Sequence, residues 1–159
     1  MIIYPSYERK GKIFYEETPM ESEFNGIERR LNELSERLGR LQALKTKPRL
    51  TFDHEPLLRD IVERNLEVAI QCMIDISNRI ISMEKAQKPV DSYDAILRMG
   101  ELNVLPVEFA RILAPVAGFR NILAHEYLVV NWDIVYGNLQ KLDDLDKFAE
   151  YIRSWLRNR

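Results

Sequence analysis

Residues 60–83 read DIVERNLEVAIQCMIDISNRIISM, and this stretch decides the fold. Ile61, Val62, Leu66, Ala69, Ile70, Met73, Ile76, Ile80 and Met83 keep returning to one side of a helix, while Arg59, Asp60, Glu63, Arg64, Glu67 and Asp75 take most of the rest. The pattern predicts a long amphipathic helix that forms the spine of a core. Asp53 is placed to cap it, Pro56 fits its first turn, and Lys88-Pro89 ends it.

The flanking segments are helical too. Ile27, Leu31, Leu34, Leu38 and Leu41 repeat at spacings of four and three, which predicts a first helix from about Gly26 to Leu44 with a capping-box-like start at Asn25 and Glu28. Its stripe suits either a core face or a seam against a second copy. Asp91 is placed to cap a third helix through Met99, closed by Gly100. A fourth opens at Pro106, and Pro115 inside it is expected to kink or interrupt it. Asn131 caps the last, in which Ile134, Val135, Leu139, Leu142, Leu145, Phe148, Ile152 and Trp155 line one face. The expectation is a single all-α domain, an up-and-down bundle of about five helices over residues 25–159. Residues 1–24 stand apart as a short extended or hairpin arm, with Ile2, Ile3, Tyr4, Tyr7, Ile13, Phe14 and Tyr15 flanking a charged turn at Glu8–Lys12.

Composition excludes several classes. A chain of 159 residues with 46% hydrophobic content builds one domain with a real core. A net charge of −2 argues against a broad basic surface, so any contact with nucleic acid must be local. The one cysteine, Cys72, rules out a disulfide within the chain and fits a reduced, cytoplasmic setting. Charges at Glu8, Arg9, Lys10 and Lys12 break any secretory signal, and no segment offers the roughly 18 uncharged residues of a membrane span.

The chemistry concentrates in residues 118–127, GFRNILAHEY. Arg120 is a permanent cation with a planar fork of donors suited to phosphate, and His125 can exchange a proton near neutral pH. Asn121 and His125, four apart, share a helix face on which the amide can orient the imidazole or contact the same ligand. Arg120 lies about 140° around the helix from His125, awkward for one cluster unless the helix ends near His125 or a second subunit supplies the missing partner. Tyr127 follows where the chain should be leaving the helix. Plainer roles compete: a surface ion pair for Arg120, a structural histidine at a helix end, a backbone hydrogen bond for Asn121, a packed ring for Tyr127. His54, a lone histidine, is expected to face solvent and to hold no metal.

Arg120, His125 and the following Tyr127, with Asn121, resemble the motif of the HEPN superfamily, and the stretch is similar to the HepT-like toxins of HEPN/MNT toxin–antitoxin pairs. Glu63–Ile70, Asp75–Asn78, Asp91–Tyr93, Leu105-Pro106 and Val135-Tyr136 resemble that family in order and spacing, from roughly Ile27 to Leu156. The resemblance implies a HEPN-like bundle whose homodimer faces two Arg/His sets across a cleft and acts as a metal-independent endoribonuclease. His125 would move protons, Arg120 clamp the phosphate, and Asn121 orient His125 or donate to a phosphate oxygen, with no cofactor. It further implies a partner, an MNT-type nucleotidyltransferase antitoxin that silences the site by adding AMP to Tyr127. The alternative within the family is a catalytically silent HEPN dimer serving as an interaction module for such a partner; the Ile27–Leu41 stripe alone would support a plain dimerisation adaptor. The first two dozen residues have no counterpart in the family, Pro115 falls in the motif helix, and Glu126 is expected to face solvent.

Overall fold

Thr18 starts the first helix with a reciprocal cap. Its hydroxyl accepts from the Glu21 N–H at 3.2 Å and its own N–H donates to the Glu21 carboxylate at 2.8 Å. The structure, a computed structural model, describes residues 18–125 and 129–159. Among the described residues there are seven helices and no strand: α1 (Pro19–Lys45), α2 (Thr51–His54), α3 (Pro56–Met83), α4 (Ser92–Glu101), α5 (Val107–Ala124), α6 (Trp132–Leu139) and α7 (Leu142–Arg157). None is long and apolar enough to cross a membrane.

The all-α bundle stands, with its element ends moved. Helix α1 begins at Pro19 and not near Gly26, because the Thr18–Glu21 box outcompetes Asn25, which lies inside the helix. Residues 18–24 therefore belong to α1, and the rest of the expected arm lies outside the described residues. Asp53 caps nothing; it sits in the one-turn α2. Glu55, forced out of the helical region ahead of Pro56, separates α2 from α3 at φ −126° and ψ 82°. Gly100 is inside α4 and does not close it. The left-handed closure falls on Asn103 at φ 58°, with Val104 N–H bonded to the Met99 carbonyl and Asn103 N–H to that of Gly100. Lys85, at φ 53°, closes α3 in the same way, ahead of Lys88-Pro89. Helix α5 runs through Pro115 uninterrupted, the proline standing on its exposed side. The last expected helix is two, broken at Gln140-Lys141, where the Gln140 amide donates to the Lys45 carbonyl at 3.1 Å. Asp91 and Asn131 cap α4 and α6 as expected.

Helices α1 and α3 run antiparallel along their whole lengths. Three cross-links order them: Arg79 to Glu23 at 2.8 Å, Arg30 to Asp75 at 3.5 Å, and Arg37 to the Asn65 amide oxygen at 3.2 Å. The Ile27–Leu41 stripe is buried against α3, so it is a core face, and the adaptor reading loses its support. Helices α4, α5 and α7 close around α3, whose Leu66, Ile70, Met73, Ile76 and Ile80 are sealed from solvent. Buried Asn65 has both ends of its amide satisfied, donating to the Ile61 carbonyl at 2.7 Å while accepting from Arg37. Cys72 is buried, and that desolvation, reinforced by Glu33 and Asp75 against Arg30 and Arg37, pushes its thiol up to about 11.

Gly100 sets how closely α5 approaches α4. A Cβ there would lie 3.1 Å from the Ala110 Cβ and 3.2 Å from the Val107 Cα, closer than normal packing. Gly100→Ala is therefore expected to lower stability by about 1–2 kcal/mol, the overpacking outweighing about 1 kcal/mol of helix propensity. Urea titration reads this, and a stabilised variant would contradict it.

Candidate functional site

Helix α5 carries the motif, and it is apolar on two sides. One side, with Ala110, Leu113, Ala114, Ala117 and Leu123, is core. The other presents Ile112 at 65% exposure, Pro115, Gly118 and Ile122 at 45%, then Asn121 and His125 at the end. A Cβ built on Gly118 meets nothing within 4 Å, so packing within the described residues does not demand a glycine there.

The helix ends at Ala124. His125 is its C-cap, at φ −89° and ψ 85°, exposed at the point where the chain turns away. Of the two conditions named for a shared cluster, a helix that ends near His125 is met. Arg120 is half-buried in the last turn; its Nη1 lies 3.5 Å from the Asn121 Oδ1, at the limit of a hydrogen bond, and its Nε is buried with no hydrogen-bond partner among the described residues. Among the described residues no carboxylate forms an ion pair with Arg120. Arg120 and Asn121 are thus brought together beside an exposed His125. Tyr127 and Glu126 lie outside the described residues. His54 is exposed, as expected.

A clasp that sequence reading missed holds the chain where it resumes after the motif. Trp132, first residue of α6, is buried and stacked on Phe52 at 4.8 Å between centroids, and the Arg49 guanidinium lies 5.8 Å from the centroid of the indole. Arg49 also binds Asp133 at 2.9 Å and Asp53 at 2.7 Å. The indole N–H faces the Glu63 carboxyl of α3, and the Tyr136 hydroxyl donates to the Lys47 carbonyl at 3.0 Å. Burial, with Asp60 adding to it, raises the Glu63 carboxyl above its ordinary value despite the opposing Trp132 hydrogen bond and Arg59. The signals were Trp132 directly after the Asn131 cap and an unexplained Arg49 beside Phe52, but aromatic pairing across 80 residues has no periodicity to reveal it.

Comparison with known proteins places the chain in a family. The ribonuclease HepT-like family model matches residues 27–152. The chain belongs to that family. It is 30% identical over 104 residues to the mRNA nuclease HepT of Shewanella oneidensis, covering 65% of this chain and 78% of that one. It is 39% identical over 67 residues to the tRNA nuclease HepT of Aphanizomenon flos-aquae, a match spanning 42% of this chain and 46% of that protein's length. Among solved structures, the tri-AMPylated Shewanella oneidensis HEPN toxin in complex with MNT antitoxin superimposes with a TM-score of 0.72 at 26% identity, covering 81% of this chain and 97% of that one. The family span takes in the core from Ile27 to Ile152 and residues 118–127, and leaves out the first turns of α1.

A raised carboxyl favours its neutral form, so its contribution to stability is present below the unfolded value and lost as pH rises through the folded one. Glu63→Gln, which keeps an acceptor for the indole, is expected to be more stable than the parent at pH 7, the gap closing toward pH 4. Parallel denaturation curves check this; a gap that widens on acidification would contradict it.

Proposed function

We propose that this chain is the toxin of a HEPN/MNT toxin–antitoxin pair, an endoribonuclease that needs no metal and works as a homodimer with Arg120 and His125 from two copies at one cleft. The observation that carries the reading is Arg120 in the last turn of α5, joined to Asn121, bound to no carboxylate among the described residues, beside an exposed His125 at the helix end. A guanidinium left with an orphaned buried donor costs about 1–3 kcal/mol, a cost that makes sense where its charge serves a ligand. Exposed Ile112, Pro115, Gly118 and Ile122 give a second copy an apolar face leading to that site, and Gly118 lets two backbones approach closely.

RNA carries its own nucleophile in the 2′-hydroxyl. The protein must take that proton, give one to the leaving 5′-oxygen and steady the charge gathering on phosphorus. His125 handles the protons, Arg120 holds the non-bridging oxygens, and Asn121 orients the imidazole or donates to the phosphate. The named relatives are nucleases and the solved toxin is AMPylated in complex with its antitoxin, which supports silencing by a nucleotidyltransferase partner. In that step the Tyr127 oxygen attacks the α-phosphorus of ATP, its proton passes to a base, and pyrophosphate leaves. The adduct adds bulk and negative charge beside His125, which repels RNA phosphates.

Purified protein is expected to cleave RNA in excess chelator, with Arg120→Ala and His125→Ala each at least about 100-fold slower and still dimeric by light scattering. Cleavage at parent rate in both variants would reject the site, and an inert parent protein would favour the silent interaction module. With the partner nucleotidyltransferase and ATP, the protein is expected to gain one or more AMP groups by mass spectrometry, and Tyr127→Phe to lose the modification at that position; unchanged modification of that peptide would remove Tyr127 from the proposal.

A further inference from the structure

At one end of the bundle the start of α1 meets the ends of α3 and α7. They leave a groove of about 720 Å3 with Met20, Phe24, Met83 and Leu156 as its apolar lining. Glu23 and Glu84 stand in the walls, paired with Arg79 and Arg159, and Glu28 adds an exposed carboxylate. Met20, Phe24 and Leu156 fall outside residues 27–152, the span that the family model matches, while Met83 falls inside it.

We propose that this groove is the docking site of the chain's own segment Ile13-Phe14-Tyr15. The capping box fixes where that segment arrives: Thr18, extended at φ −63° and ψ 154°, is bound to Glu21 immediately beside Pro19 and Met20 on the groove's rim. Only Glu16 and Glu17 separate the triad from Thr18, so Tyr15 lies within about 11 Å of it along the chain. A tether that short holds the triad near the groove at an effective concentration of about millimolar or more. A cavity of this size accepts a few apolar side chains, which is what Ile13, Phe14 and Tyr15 offer. Glu23 and Glu84 are already paired with Arg79 and Arg159, so Glu28 is the wall carboxylate that the basic residues Arg9, Lys10 and Lys12 can meet. The docked segment covers an apolar opening at the junction of three helix ends. This inference stands apart from the nuclease reading, since none of its residues belongs to the Arg120–His125 site.

Full-length protein tests it. Phe14→Cys combined with Met83→Cys is expected to close a disulfide within one chain under mild oxidation, seen as a reducible mobility shift at monomer mass. Phe14→Cys with Val90→Cys, exposed outside the groove, is expected to give none. Cys72 does not compete, being buried with its thiol pushed up to about 11. Replacing Ile13, Phe14 and Tyr15 together by Asp is expected to raise binding of an apolar dye at least about threefold as the groove opens. Equal cross-linking to both positions, cross-linking to neither, or dye binding that does not change would overturn the proposal. A cross-linked species of twice the mass would overturn it too, by making a second copy the occupant.

Discussion

The antiparallel pairing of α1 with α3 is the constraint on which the rest depends. Each is about 40 Å long, and each puts an unbroken apolar stripe on the other. Burial of each large aliphatic in that seam contributes about 2 kcal/mol before entropy is counted, whereas the half-exposed ion pairs along its edge contribute a few tenths. The edge pairs do something else: Glu23–Arg79, Arg30–Asp75 and Arg37–Asn65 fit only one sliding register. A shift of one turn, about 5.4 Å, would break all three and leave the Asn65 amide buried without its cation. With the seam fixed, α3 becomes the surface on which α4, α5 and α7 settle, and the position of α5 determines where Arg120 stands.

What sequence could reveal was whatever repeats along one element. Ile27–Leu41 and Ile61–Met83 announced two long helices, and Asp91 and Asn131 announced two starts, because a side chain two or three residues from a free N–H acts locally. Helix ends were harder. Gly100 invited a terminator and turned out to be a spacer against Ala110, while non-glycine residues, Lys85 and Asn103, took the left-handed positions. Local propensity ranks such residues; the packing of neighbouring helices decides among them. The break at Gln140-Lys141 carries no Gly or Pro, and the spacing of Leu139, Leu142 and Leu145 runs straight across it.

The candidate site was legible as chemistry and poorly legible as geometry. Residue types alone pointed to Arg120, Asn121 and His125, but an unbroken helical wheel did not show that α5 stops at Ala124, with His125 as its C-cap. The apolar outer face of the same helix went unread, since Ile112, Pro115, Gly118 and Ile122 alternate with core residues and a helix apolar on both sides shows little net periodicity. The Trp132 clasp joins α2, α3 and α6 through partners far apart in the chain, which only coordinates bring together.

Pro115 has one more consequence. With no N–H of its own, it leaves the Arg111 carbonyl without its usual rung, on the side of α5 that faces outward. The helix stays continuous across that missing rung because its other side is anchored: Ala117, Phe119 and Leu123, beyond the proline, are all buried in the core. The rung is thus lost where water can replace it, and the inward packing that carries the motif is untouched.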